Sequence, residues 1–116
     1  MKKKTLAVVL VKKNEDLIED KVENYAMKIV NKLRKSILEN NQVLSPDDFN
    51  IIYNPHFQTT KQFKIANSND SSFCFIIGED EFKENLISIK SMSSGIQKKL
   101  VLDEKTLQSI FLEEKF

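Results

Sequence analysis

The segment FCFIIGEDEFKENLISIK, Phe73–Lys90, carries the reading of the fold. It begins with five consecutive apolar residues, Phe73 to Ile77, and breaks at Gly78. A short, continuous apolar run is how a strand covered on both faces reads. Three acids follow, Glu79, Asp80 and Glu81, and the chain returns through Leu86, Ser88 and Lys90 alternating with Ile87 and Ile89. That alternation is the period of a strand with one wet face. The segment therefore reads as a buried strand, an acidic turn and a half-covered antiparallel strand. SSG at Ser93–Gly95 is a tight turn into a fifth strand, IQKKLVLD, and a closing helix begins near Asp103.

Working back from Phe73, SNDSS is a turn and TKQFKIANSN is a short helix opening at Thr59 or Thr60, with Phe63 and Ala66 facing inward. FNIIYN is a strand stopped by Asn54 and Pro55. NNQVLSPDD is the main loop. Before it, Ile18, Val22, Tyr25, Ala26, Ile29, Val30, Leu33 and Ile37 recur at three and four residues, the apolar stripe of a long helix. Asn14 is its expected N-cap, with Glu15 and Asp16 in the first turn, where acids suit the helix dipole. TLAVVLVKK is the first strand.

The order is β-α-β-α-β-β-β-α. Strands alternating with helices imply parallel pairing and right-handed crossovers for the first three, and the short connections imply antiparallel pairing for the rest. The expected fold is a three-layer α/β/α domain with a mixed five-stranded sheet, spanning residues 1–116 as one domain. Leu6, Val8, Ile29, Leu33, Ile51, Phe75, Ile76 and Ile77 are the expected core.

The 116 residues carry a net charge of +1, with 41% apolar and 30% charged residues. A chain-wide basic field is absent, so an anion must be held by a local patch. Lysines cluster at Lys2, Lys3, Lys4, Lys12 and Lys13, and again at Lys61 and Lys64. One cysteine excludes a disulfide within the chain and a multi-cysteine metal site, and it fits a reducing, cytoplasmic setting. The opening apolar run, Leu6–Val11, ends in two lysines without a small-residue cleavage site and reads as a strand, not a leader. No stretch has the length of a membrane span.

An open α/β sheet works beyond the carboxyl ends of its parallel strands. The loops there are Lys12–Asp16, Asn54–Thr60 and Gly78–Glu84. None is a glycine-rich phosphate cradle, and a phosphoacceptor site would need acids where Lys12 and Lys13 stand. His56 has no nucleophile in a recognisable signature beside it and reads as surface. Cys74, mid-strand among aromatics, reads as a buried, inert thiol. Glu79, Asp80 and Glu81, consecutive in a turn, do not converge on a metal ion. No catalytic residue, metal or cofactor is expected.

The sequence resembles the anticodon-binding domain of class II aminoacyl-tRNA synthetases, most closely that of the histidyl enzymes. The resemblance rests on YAMKIVNKLRK (Tyr25–Lys35), on KQFKIA (Lys61–Ala66), and on FIIGEDE, ISIK and SGIQ in that order. It implies the fold derived above and a grip on the anticodon loop of a tRNA, with charging done by a separate catalytic domain. In the related threonyl enzymes, the last acid of the GEDE-type segment and the basic residue ending the next strand contact an anticodon base. By position these are Glu81 and Lys90. Lys64 matches a basic position on the second helix of the family, Lys61 lies one turn before it, and both can hold phosphates. Asn14 lies where the family presents polar groups to the loop. A carboxylate can accept from the Watson–Crick donors of an unstacked guanine, and the histidine anticodon contains two guanines. The chain departs from the family in a long link, ENNQVLSPDDFN, and in NPHFQTT, where a basic residue and Ser-Leu are common. Two readings stay open: a tRNA-binding module of a histidine–tRNA ligase, or a free-standing regulatory relative without tRNA specificity. A flavodoxin-like enzyme is a distant third.

Overall fold

The computed structural model describes residues 4–12, 20–39 and 49–110. The elements in chain order are β1 (Lys4–Leu10), α1 (Asp20–Glu39), β2 (Phe49–Tyr53), α2 (Thr59–Ser68), β3 (Phe73–Ile77), α3 (Glu79–Glu84), β4 (Ile87–Ser91), β5 (Gln97–Leu100) and α4 (Glu104–Gln108). The five strands form one sheet in the order β2-β1-β3-β4-β5. β1 pairs in parallel with β2 and β3, and β4 is antiparallel to both β3 and β5. The mixed five-stranded α/β architecture expected from the sequence is the one observed.

α1 covers one face. Its stripe of Val22, Ala26, Ile29, Val30, Leu33 and Ile37 packs on Leu6, Val8, Leu10, Phe73, Phe75, Ile77, Ile87 and Ile89. Leu107 and Ile110 close the same core from the chain's end. α2 covers part of the other face, where Ala66 meets Ala7, Val9 and Cys74. Of the expected core, Ile51 and Ile76 are only half-buried. Ile51 lies on the edge strand, and Ile76 lies on the face that α2 covers in part.

The acidic turn expected after Gly78 is instead the first turn of α3. Gly78 is its extended N-cap, Glu79, Asp80 and Glu81 fill its first turn, and Asn85 closes it in the left-handed region at φ 56°. Acids favour a helix N-terminus because free N–H groups and the dipole point positive there, and Asn tolerates the left-handed closing position. Glu79 also pairs with Lys83 one turn on, at 3.0 Å. The fifth strand is shorter than expected, Gln97–Leu100. The last helix does open on Asp103, whose side chain accepts from the Thr106 N–H at 2.8 Å. Asn14, with the expected start of the first helix, and most of the long link before Phe49 lie outside the described residues.

Candidate functional site

The parallel strands end at one edge, and the sequence must satisfy their last backbone groups there. β2 stops pairing at Tyr53, opposite Val8, so Leu10 lies past the end of its neighbour. Gln62, one turn into α2, takes the place of the missing strand. Its Oε1 accepts from the Leu10 N–H at 2.9 Å, and its Nε2 donates to the Leu10 carbonyl at 3.0 Å and to the Phe57 carbonyl at 3.0 Å. A buried amide with all these bonds made ties α2, β1 and the loop before α2 into one unit; unmade, such groups cost about 1–3 kcal/mol each. Sequence reasoning placed Phe63 and Ala66 inward and missed Gln62, although it stands one helical turn before Ala66.

Lys12 belongs to this internal bracing and not to a solvated basic patch. It is 9% exposed, its Nζ donates to the Phe57 carbonyl at 2.7 Å, and its N–H donates to Thr59 Oγ1 at 3.3 Å. Lys61 and Lys64 are exposed on α2. The Lys61 ammonium lies 4.1 Å from the centroid of the Phe57 ring, a cation–π contact. His56 is exposed in the same loop.

The other half of the site grows from β3, α3, β4 and β5. Residues paired across a ladder share a face. Val9, Ile76, Ser88 and Lys99 therefore form one row, and Ala7, Cys74, Lys90 and Gln97 the next. Both rows begin under α2 and run out onto β4 and β5 as polar side chains. The sequence alternation gave this face of β4 as wet; Ser88 is instead buried and Lys90 half-buried. What covers Ser88 is Glu81. The Ser88 hydroxyl donates to Glu81 Oε2 at 3.2 Å. Glu81 is itself only 9% exposed, and its Oε1 stands 3.2 Å from where a Cβ on Gly78 would lie. A side chain larger than glycine's at position 78 would crowd the carboxylate.

The cation beside Glu81 is Lys99, at 3.9 Å, and Lys99 also holds Glu84 at 3.2 Å. These carboxylates, Glu84 first through its hydrogen bond, hold the Lys99 pKa above its ordinary value. Sequence reasoning put Lys90 next to the acid and missed Lys99. The register explains the difference: Lys99 is directly opposite Ser88, whereas Lys90 lies two residues further along the strand, about 7 Å away. Glu81 and Lys90 thus sit on one face without forming an ion pair with each other. Burial raises the Cys74 thiol to about 11, and the nearby Lys90 charge pulls it down in part. The thiol is protonated at neutral pH and has no reactive character.

α1 steadies this half from behind. The Tyr25 hydroxyl donates to the Leu86 carbonyl at 2.7 Å, and its ring meets Phe82 edge-on with centroids 5.7 Å apart. Burial, and then the Glu81 charge, raise the tyrosine pKa. Among the described residues no three His, Cys, Asp or Glu side chains are grouped to hold a metal ion. No helix among them is long and apolar enough to cross a membrane.

This geometry is a sheet edge with one buried acid and, beside it, a polar face beyond α2 on which Ser88 is buried, Lys90 half-buried and Lys99 exposed. The family model described as "Anticodon binding domain" matches residues 5–108. The chain belongs to this family. It is 32% identical over 80 residues to the histidine–tRNA ligase of Clostridium tetani, an alignment that takes in 69% of the chain and 16% of that relative. It superposes on the crystal structure of apo histidyl-tRNA synthetase from S. aureus with a TM-score of 0.62 at 23% identity, covering 98% of this chain and 24% of that one. Histidyl-tRNA synthetase from Nostoc sp. PCC 7120 gives a TM-score of 0.60 at 26% identity, covering 90% and 21%. The chain thus spans between a sixth and a quarter of the length of these relatives.

Proposed function

We propose that the chain is an anticodon-loop-binding module of a histidine–tRNA ligase, and that Glu81 and Lys90 read bases of the loop. The observation that carries this reading is the placement of the Glu81 carboxylate. It is held by Ser88 at the rim of a polar face that α2 leaves open, with Lys90 on the same face. A fixed, partly desolvated carboxylate accepts well from the N–H groups of a guanine Watson–Crick edge, and unpaired loop bases expose those edges. Lys90 lies one strand repeat away and reaches an acceptor or a phosphate of the same loop. Lys64 and Lys61 hold backbone, and Asn14 adds a polar contact. The site works in the cytoplasm with no cofactor, and a separate catalytic domain of the ligase performs the charging.

The test is binding of a stem-loop with the histidine anticodon against one with a scrambled loop, at two salt concentrations. Wild type is expected to prefer the first. Glu81→Gln should lose most of that preference, roughly 1–3 kcal/mol by analogy with base readout in duplexes. Lys64→Ala should weaken both RNAs alike and lower the salt slope by about one unit. Equal binding of both loops by wild type would overturn the reading.

A further inference from the structure

Phe57 is a large apolar side chain, 39% exposed, and its ring belongs to neither core cluster. Its backbone, in contrast, is firmly held. The N–H donates to the Asn54 carbonyl at 3.3 Å, and the carbonyl accepts from Lys12 Nζ at 2.7 Å and from Gln62 Nε2 at 3.0 Å. The fold thus fixes the position of a ring that it does not use for packing. One face of the ring carries the Lys61 ammonium at 4.1 Å. Lys64, exposed one turn further along α2, adds positive charge on the same helix.

We infer that Phe57 is a stacking platform for an unpaired base of the bound RNA loop. This inference rests on the RNA-binding reading above and adds a residue and a contact to it. A flat, rigid aromatic presented to solvent among lysines fits a nucleobase, whose π-face stacks whatever its sequence and whose phosphate answers the neighbouring cation. With Lys61 on one ring face, the base takes the other, and the Lys61 ammonium can meet the adjoining phosphate. β1 lies between the ends of β2 and β3, so Phe57 and Glu81 are separated by about two strand spacings, on the order of 10 Å. The base on Phe57 is therefore not the one read by Glu81 but a neighbour in the same loop. Phe57 lies in NPHFQTT, the stretch in which this chain departs from the common family pattern.

The chain contains no tryptophan, so Phe57→Trp places a single reporter at the ring position. Its emission is expected to be quenched by the histidine-anticodon stem-loop and unchanged by a blunt duplex of the same stem. Phe57→Ala keeps every backbone bond of the loop. It is expected to weaken stem-loop binding about 5- to 150-fold, the range of one base–aromatic stack, with the thermal midpoint unchanged. RNA affinity is read separately by anisotropy of a labelled stem-loop. If the stem-loop binds with unchanged tryptophan emission and Phe57→Ala binds as tightly as wild type, the platform is overturned and the RNA-binding reading stands. If the labelled stem-loop does not bind at all, both fall.

Discussion

The two faces of the sheet are drawn from the same strands and differ in what covers them. Toward α1, β4 presents Ile87 and Ile89, both fully buried, into a core continuous from Leu6 to Ile110. Toward α2, the same strand presents Ser88 and Lys90, and α2 stops short of them, lying over Ala7, Val9 and Cys74. The α1 face is closed by apolar packing and determines stability. α2 closes this face only over its first half; beyond it a buried acid and a buried hydroxyl are assembled with two lysines, one half-buried and one exposed. Consecutive residues of β4 thus meet different surroundings, and on the proposed reading substitutions should separate stability from binding.

The largest effect is expected deep in the α1 face. Phe75 is fully buried on the central β3. Phe75→Asp puts an unpaired carboxylate there at a cost of several kcal/mol, comparable with the whole stability of a small domain. The protein should lose its cooperative thermal transition; a folded, cooperatively melting variant would break the assignment of this face. Ile76, its neighbour, points to the half-open face and should tolerate a polar residue far better. Gln62→Leu comes next, because it strands the Leu10 backbone groups. It should destabilise by about 1–3 kcal/mol in chemical denaturation, and a neutral result would show that water replaces the amide freely. The smallest effect is expected at Tyr53. Its hydroxyl is buried with no hydrogen-bond partner among the described residues, and burial followed by the Glu23 charge pushes its pKa up to about 12. Tyr53→Phe should leave stability unchanged or raise it by up to about 1 kcal/mol. A clear loss of stability would reveal a partner for that oxygen.

Much of this was legible in the sequence, because the fold is written in periodicities. The long stripe from Val22 to Ile37, the runs at Leu6 and Phe73, and the alternation from Ile87 gave the elements and the mixed sheet. α3 was missed because three consecutive acids after a glycine read as a solvated turn. The N-terminal acids, Lys83 one turn on and Asn85 as a closing residue were the available signals. The Glu81–Lys99 contact was not legible, since it depends on the β4–β5 register, which the turn at Ser93–Gly95 sets. Gln62 was readable in part: a polar residue one turn before Ala66 on a helix packed over a strand end is a candidate for backbone bonding. The burial of Lys12 was not, because a lysine after an apolar strand ordinarily marks its exit to solvent.

The central claim is that β4 divides stability from recognition between its two faces, and adjacent residues Ile89 and Lys90 test it most directly. Unfolding free energy and affinity for the histidine-anticodon stem-loop would be measured together on Ile89→Val and Lys90→Ala. Ile89→Val should cost about 0.5–1.5 kcal/mol of stability and leave the affinity of the folded protein as in wild type. Lys90→Ala should leave stability within about 0.5 kcal/mol and cost roughly 1–3 kcal/mol of binding to the preferred loop. A Lys90→Ala protein that binds the stem-loop like wild type would contradict the account.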